Sequence, residues 1–305
     1  MADGEPLRRA LLRVRTADHW VLEVERVRPP GPARGVAVVG HAMMVDRRTL
    51  DRPRGAGLVS TLARAGWEVF AADLRGRGGA SPRASEGAAW SYDDLVRHDL
   101  PALVDTARRA APGLPLFVVG HSLTGHVSVA AAGCGLYSVA PDGHVLLAAN
   151  HWLPSLEPRR ARRALKAAMI AALSLAARST GRMPARALRI GTVDESADYA
   201  RQLVRFWRDD RWRSRDGACD YLAALQRVPG SILAVYSRGD RLLGHPEPAV
   251  RWARHLPEDA EVWICGRGAH GLTFDPDHMQ LVTDPRSTPL WRAVATWMST
   301  RAQAR

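Results

Sequence analysis

Short apolar runs alternate along the chain with longer segments whose apolar positions recur every three or four residues. The runs Gly35–Gly40, 114–120 and Ser231–Ser237 are almost continuously apolar, which is typical of strands buried on both faces of a parallel sheet. Residues 57–65 and 123–132 have the periodicity of helices. Strands that alternate with helices predict an α/β fold with a doubly wound, mostly parallel sheet and helices on both of its faces.

The same alternation extends over most of the chain. Two β-rich stretches on either side of a polar turn, residues 11–16 and 20–27, predict a hairpin near the N-terminus. Further strands are predicted at 67–72, 144–149 and 260–265, and further helices within 92–110 and at 288–298. Ligands of such sheets bind beyond the carboxyl ends of the strands, so a functional site is expected in the loops that follow them.

One long segment interrupts the alternation, because it has helical patterning and no convincing strand. We predict that residues 151–225 form a helical cap over the strand ends, and that residues 1–150 and 226–305 form the α/β core. A chain of 305 residues with 46% hydrophobic and 24% charged residues is long enough to bury such a core.

The formal net charge of +12 is concentrated in the predicted cap, which has 15 Arg and Lys against eight Asp and Glu. Residues 159–166 are densely basic, whereas residues 167–177 are almost entirely apolar. Three interpretations stay open: a lid helix with a solvated start and a buried end, a cap that accepts an acyl chain and attracts a negative group, or a helix lying shallowly on a membrane. No nucleic-acid-binding motif accompanies the charge, so no nucleic-acid partner is expected.

A candidate nucleophile lies in the sequence GHSLTG, residues 120–125. A buried strand is predicted before it and a small-residue helix after it, which is the context of a nucleophile elbow. In such a turn the serine hydroxyl is exposed at the edge of the sheet, so Ser122 is the predicted nucleophile. The fifth position of the G-x-S-x-G pattern is Thr124, which predicts a crowded turn that small residues further along the helix relieve.

A serine nucleophile needs a histidine base and a carboxylate that orients the base. Asp240 follows the strand Ser231–Ser237, and His270 follows the strand at 260–265 in a glycine-rich loop. Each residue comes after a different strand on the same edge of the sheet. We therefore predict a catalytic triad of Ser122, Asp240 and His270, in the chain order usual for this arrangement.

Other histidines have structural interpretations. His126 comes one helical turn after Ser122 and is expected to face a neighbouring helix, and His278 is close to Asp275 and Asp277, which favours a loop salt bridge. No spacing of histidines and carboxylates indicates a metal site, so neither a metal nor another cofactor is expected.

Acyl transfer also needs two backbone N–H groups that stabilise an oxyanion. One predicted donor is Leu123, the residue after the nucleophile. The other is Met43, in the loop with the sequence HAMM that follows the strand Gly35–Gly40.

The three cysteines are Cys134, Cys219 and Cys265, and none forms a CxxC pair. An odd, scattered set argues against a disulfide framework and against structural zinc. The longest near-apolar run, residues 167–177, is far too short to span a membrane. We therefore expect a soluble protein of the reducing cytoplasm with no stable membrane association.

With these motifs in place, the chain resembles the α/β-hydrolase superfamily from end to end. The HAMM loop stands where many members carry H-G-x-x, and residues 73–81 (DLRGRGGAS) are similar to the D-x-R-G-x-G-x-S turn. Within the superfamily the chain is most similar to uncharacterised bacterial serine aminopeptidase-like and lysophospholipase-like hydrolases. Residues 181–184 and 206–208 carry this similarity. The resemblance implies an eight-stranded, mostly parallel sheet with a helical cap insertion.

The resemblance and the motifs together predict a serine hydrolase that cleaves a carboxylic ester or thioester through an acyl-enzyme. The basic cap disfavours substrates with a free ammonium group, and an anionic group on the ester is one option that it leaves open. Two alternatives remain: an acyltransferase with the same triad, or a catalytically idle binding protein, which Thr124 and the Ala42 in place of the usual glycine suggest.

Overall fold

In the computed structural model, which describes residues 6–304, the larger of two sheets has eight strands. The strands of both sheets are β1 (Arg9–Arg15), β2 (Val21–Val27), β3 (Gly35–Gly40), β4 (Trp67–Asp73), β5 (Leu116–His121), β6 (Gly143–Leu147), β7 (Arg182–Met183), β8 (Glu195–Ser196), β9 (Ser231–Ser237) and β10 (Glu261–Cys265). The large sheet has the order β1-β2-β4-β3-β5-β6-β9-β10. The β1–β2 and β2–β4 pairs are antiparallel and the others are parallel.

Apart from His121 and His144, the central strands β3, β5 and β6 consist of apolar or small residues, because helices cover both of their faces. Every residue of β3, β5 and β6 is buried. Gly40 of β3 pairs with Gly120 of β5, and His121 of β5 pairs with Leu147 of β6. This register brings the loops that follow β3, β5 and β6 to the same edge of the sheet.

Helices pack on both faces of the sheet, and the predicted fold class is confirmed. The α-helices of the described residues are α1 (Leu58–Arg64), α2 (Tyr92–Asp94), α3 (Leu100–Ala110), α4 (Leu123–Gly133), α5 (Arg160–Thr180), α6 (Ala197–Asp209), α7 (Tyr221–Ala224), α8 (Pro246–Ala253), α9 (Gln280–Thr283) and α10 (Thr288–Gln303). Leu103 of α3 and Val127 of α4 belong to the apolar core on one face. Leu62 of α1 and Trp291 of α10 belong to the core on the other face.

The chain between β6 and β9, residues 148–230, is called the inserted segment here, and it contributes no strand to the large sheet. It holds α5, α6, α7 and the small antiparallel pair β7–β8. The division into a core and a cap at residues 151–225 stays a prediction, although these helices fall where the sequence pattern placed them.

Helix α5 has exposed and buried positions along its whole length, rather than a solvated start and a buried end. Lys166 near its start is buried and forms an ion pair with Glu157 at 2.9 Å, whereas Leu175 near its end is 67% exposed. Arg162 pairs with the same Glu157 at 2.7 Å and with Glu247 of α8 at 3.0 Å. Carboxylates from outside the helix therefore compensate part of the basic run, a pairing that local sequence does not reveal.

The expectation that no disulfide forms is wrong. Cys134, directly after α4, is bonded to Cys219 of the inserted segment, with 6.2 Å between the Cα atoms, and Cys265 is free and buried. The bond joins positions 85 residues apart, and sequence spacing gives no signal for such a long-range pair. Disulfides persist mainly in oxidising compartments, so the cytoplasmic location stays only a prediction.

Within the part of the chain that the structure describes, no helix has the length and apolar character needed to cross a membrane. This agrees with the short apolar runs of the sequence.

The disulfide makes a testable contribution to stability, because it restricts the unfolded chain over 85 residues. Reduction is expected to lower the free energy of unfolding by about 2–4 kcal/mol. Urea denaturation with and without a thiol reductant measures the effect. The double variant Cys134→Ser/Cys219→Ser should no longer respond to the reductant, whereas Cys265→Ala should respond like the natural protein. Identical transitions with and without reductant in the natural protein would contradict the prediction.

Candidate active site

The turn that carries Ser122 is strained and closely packed. Ser122 has φ 47° and ψ −106°, a sparsely populated conformation that projects its side chain from the start of α4. A Cβ atom on Gly120 would lie 2.2 Å from the backbone nitrogen of Gly125, and one on Gly125 would lie 2.4 Å from the Cβ of Ala149. The strand and the helix can therefore approach this closely only where both positions are glycine.

Thr124 fits the turn for a reason that differs from the expected one. A Cβ atom on Gly40 would lie 2.3 Å from Cγ2 of Thr124, so the absence of a side chain at Gly40 provides the space. The small residues further along α4 were expected to provide it, and this expectation is wrong because the threonine points to β3 rather than along its own helix. The Thr124 hydroxyl donates a hydrogen bond of 2.8 Å to the carbonyl oxygen of His41.

Asp240 is paired with His278. The distance between Oδ2 of Asp240 and Nδ1 of His278 is 2.6 Å, and the backbone N–H groups of Gly244 and Leu242 also donate to the carboxylate, at 2.7 and 3.3 Å. Burial alone would raise the pKa of Asp240, but the hydrogen bond and charge of His278 and the two N–H groups outweigh it, so this pKa is lowered. The carboxylate is thus held ionised against an imidazole.

Contacts between the loops bring His278 to this position. The hydroxyl of Ser237, at the end of β9, donates a hydrogen bond of 2.5 Å to the carbonyl oxygen of Pro276. A Cβ atom on Gly239 would lie 2.5 Å from that same oxygen, so the loop after β9 packs directly on the segment before His278. On the other side, Nε2 of His121, next to the nucleophile, lies 3.0 Å from the carbonyl oxygen of His278.

The structure does not support the predicted role of His270. Its ring stacks on that of Trp263, with 4.4 Å between the ring centroids, and the carboxylate of Asp240 is occupied by His278. Gly266 and Ala269 form a bridge after β10, so the glycine-rich loop folds back on itself before it reaches the elbow. The histidine that meets Asp240 comes eight residues later, and the predicted salt bridge of His278 to Asp275 or Asp277 is not formed.

The two predicted oxyanion donors lie beside the nucleophile. Leu123 is the first residue of α4, so its N–H has no acceptor within the helix. Met43 lines the same pocket as Ser122. The next N–H, that of Met44, donates to the carboxylate of Glu195 at 2.7 Å and is therefore already used.

A pocket of about 260 Å³ lies between the core and the inserted segment. Its lining includes Met43, Ser122 and His278 from the core and Ile170, Leu173 and Leu203 from the inserted segment. Among the described residues that line it there is no Asp, Glu, Lys or Arg. The residues of α5 and α6 that line the pocket are mostly apolar, with Ser174 and Tyr199 as the exceptions.

Comparison with known proteins agrees with this geometry. The sequence profile of a known family, described as "Serine aminopeptidase, S33", matches residues 53–277. The chain belongs to this family of α/β-hydrolases. The matched region contains the elbow and Asp240, and it ends one residue before His278.

Solved structures of other hydrolases share the fold of this family member. A Pyrococcus furiosus esterase is 13% identical, with a TM-score of 0.61 over 97% of this chain and 92% of that one. A Paleococcus ferrophilus monoacylglycerol lipase is 17% identical, with a TM-score of 0.58 over 91% and 99%. Est1E of Butyrivibrio proteoclasticus, solved with ferulic acid, is 14% identical, with a TM-score of 0.63 over 96% and 100%.

Among curated proteins, the chain is similar to mouse lipase member N, with 30% identity over 124 residues. The match covers 36% of this chain and 31% of the lipase.

The hydrogen bond from Thr124 to His41 predicts a role in the rate of catalysis. Thr124→Val keeps the shape of the side chain but removes this hydrogen bond, so that only the longer one from the backbone N–H of residue 124, at 3.4 Å, still connects the carbonyl oxygen of His41 to the elbow. The kcat for an ester should therefore fall about tenfold, a barrier change of roughly 1.4 kcal/mol. KM should change little, because the predicted oxyanion donor in this loop, the N–H of Met43, would act on the transition state rather than on the bound ester. Steady-state kinetics on a p-nitrophenyl ester measures both. Thr124→Ser keeps the hydroxyl and should retain the rate, and an unchanged kcat in Thr124→Val would refute the role.

Proposed function

We propose that this protein is a serine esterase that hydrolyses a carboxylic ester through an acyl-enzyme on Ser122. The observation that carries the proposal is the 2.6 Å contact between His278 and the ionised Asp240, beside a strained serine that lines the same pocket. In this arrangement Ser122 is the nucleophile, His278 the base and Asp240 the group that orients the base. Residues 151–225 act as a cap that encloses the acyl chain.

The chemistry follows from the position of each group. Nδ1 of His278 is engaged by Asp240, so Nε2 is the nitrogen that takes the proton of Ser122 as Oγ attacks the ester carbonyl. The N–H groups of Leu123 and Met43 stabilise the oxyanion of the tetrahedral intermediate. His278 then returns the proton to the departing alcohol, and a water molecule, deprotonated by the same nitrogen, releases the acid from Ser122.

The lining of the pocket favours an ester over a peptide with a free N-terminus. An aminopeptidase needs a carboxylate that holds the ammonium group of its substrate, and the described lining offers none. Glu195 lies nearby but is fully buried against Arg77, at 2.5 Å, and accepts the N–H of Met44. The lining offers no Lys or Arg for an anionic group either, so we propose a neutral ester. The esterase and the lipase with similar structures support the same class of substrate.

The assignment of the base is tested by a matched pair of histidine variants. A fluorophosphonate probe should label the natural protein at Ser122, and Ser122→Ala should not be labelled. His278→Ala should lose ester hydrolysis on the order of 10⁴-fold, because the triad acts as a unit. His270→Ala should label and hydrolyse like the natural protein, since His270 stacks on Trp263 outside the site. A reversed result for the two histidines would restore His270 as the base, and no labelling of the natural protein would reject the serine esterase.

The pH dependence follows from the states of the base and its partner. A protonated histidine cannot accept the proton of Ser122, so kcat/KM should decrease towards acidic pH. The pKa of Asp240 is lowered, so this carboxylate stays ionised through the same range and should add no second step near neutrality. Measurements of kcat/KM from pH 5 to pH 9, at intervals of about one pH unit, test this. Asp240→Asn should be slow throughout, and a profile that is flat in the natural protein would exclude a histidine base.

A further inference from the structure

The mostly apolar pocket has a group of buried polar side chains apart from the proposed triad. It is formed by Asn150, His126 and His151, which are 8%, 8% and 6% exposed and which all line the pocket. None of the three belongs to the proposed triad. We call these residues the polar subsite.

Asn150 has an unpaired acceptor. Its Oδ1 atom is buried and has no hydrogen-bond partner among the described residues. Leaving a buried polar atom without a partner is unfavourable, because the atom has lost its hydrogen bonds to water and gained none. A donor group on a bound molecule would satisfy it.

The two histidines also have one nitrogen each available. Nδ1 of His126 lies 2.9 Å from the hydroxyl of Tyr92, and Nδ1 of His151 lies 3.3 Å from the carbonyl oxygen of Trp152. For Nε2 of either ring there is no partner within residues 6–304. Burial lowers the pKa of both, that of His151 to about 3, so both rings are neutral. The Nε2 atom of a neutral imidazole is either a donor or an acceptor, according to its tautomer.

The polar subsite is close to the nucleophile. The backbone N–H of His126 donates to the carbonyl oxygen of Ser122 at 3.2 Å, so the two residues are one helical turn apart on α4. The ring of His151 is 5.4 Å from that of His126, measured between centroids. A substrate group that binds here is therefore separated by only a few covalent bonds from the ester carbonyl that Ser122 attacks.

We propose that Asn150, His126 and His151 bind a free hydroxyl group and so select neutral esters that carry one near the scissile bond. A carbonyl oxygen only accepts, so Nδ1 of His151 carries the ring proton and its Nε2 is an acceptor, like Oδ1 of Asn150. The hydroxyl of Tyr92 can donate to Nδ1 of His126, which leaves Nε2 of that ring as a donor. A hydroxyl both donates and accepts, so it can accept from His126 and donate to Asn150 or His151. An anionic group would lack a positive partner here, because both rings are neutral and no Lys or Arg lines the pocket. The apolar side chains of Ile170, Leu173 and Leu203 hold the hydrocarbon part. This inference rests on the proposed esterase function.

Two matched pairs of substrates distinguish the two places where the hydroxyl can reside. The first pair is p-nitrophenyl 3-hydroxyhexanoate and p-nitrophenyl hexanoate, with the hydroxyl on the acyl part. The second is glycerol 1-monobutyrate and propyl butyrate, with hydroxyls on the alcohol part. In one pair at least, the hydroxylated member should have a kcat/KM about tenfold higher or more, the scale of one well-made hydrogen bond.

Variants connect this preference to the polar subsite. Asn150→Leu and His151→Phe should each reduce the ratio of kcat/KM within the preferred pair to near one, because they lower kcat/KM for the hydroxylated member more than for the plain ester. Leu203→Ala is the matched control, since it should lower kcat/KM for both members alike and leave the ratio unchanged. His151→Phe keeps an aromatic ring of similar shape, so it tests the subsite if Asn150→Leu fails to fold. A ratio near one in both pairs for the natural protein, or a preference that survives both variants, would overturn the proposal.

The failure of the esterase function is distinguishable from the failure of the subsite. If the natural protein turns over none of the four esters and resists the fluorophosphonate probe, the proposed function is wrong. Calorimetric binding of the same esters to Ser122→Ala then tests the subsite without turnover. Tighter binding of a hydroxylated member, lost in Ser122→Ala/Asn150→Leu, would support the subsite, and equal binding within both pairs would reject it.

Discussion

The close approach of β5 and α4 around Ser122 is the constraint on which the site depends. Two glycines, Gly120 and Gly125, allow a separation that a single Cβ atom would prevent. The serine between them holds a backbone conformation that costs about 1–3 kcal/mol. Its N–H donates to the carbonyl oxygen of Leu147 at 2.8 Å, so the neighbouring strand β6 helps to hold the turn. The sheet thus holds Ser122 in its strained conformation, and this conformation directs the serine side chain to the pocket.

The residues on either side of Ser122 connect the turn to the other parts of the catalytic apparatus. Thr124 holds the carbonyl oxygen of His41 and hence the loop with one proposed oxyanion donor. His121 holds the carbonyl oxygen of His278 and hence the proposed base. A threonine in the fifth position of the elbow is therefore a structural link rather than a defect, which removes one reason for considering the site idle.

Charge is kept away from the pocket although the inserted segment is strongly basic. Lys166 is buried against Glu157, and Arg77 is buried against Glu195, so both of these buried cations have partners. What remains in the lining is apolar or polar and uncharged. The net charge of +12 is thus a poor guide to the substrate, because recognition depends on the groups that face the pocket and not on the total.

The sequence by itself determined the features that arise from neighbouring residues. The strands Gly35–Gly40 and Ser231–Ser237 have the predicted bounds, and the strand–turn–helix around Ser122 lies where its pattern indicated, because burial and turn geometry leave local periodicities. Only the tertiary structure decided that Cys134 bonds to Cys219. It also decided that His278, and not His270, pairs with Asp240. Each depends on segments that are distant in the chain and packed against one another. Such packing leaves no periodic pattern in the sequence. Local sequence therefore could not distinguish His270, in its glycine-rich loop, from His278 as the partner of Asp240.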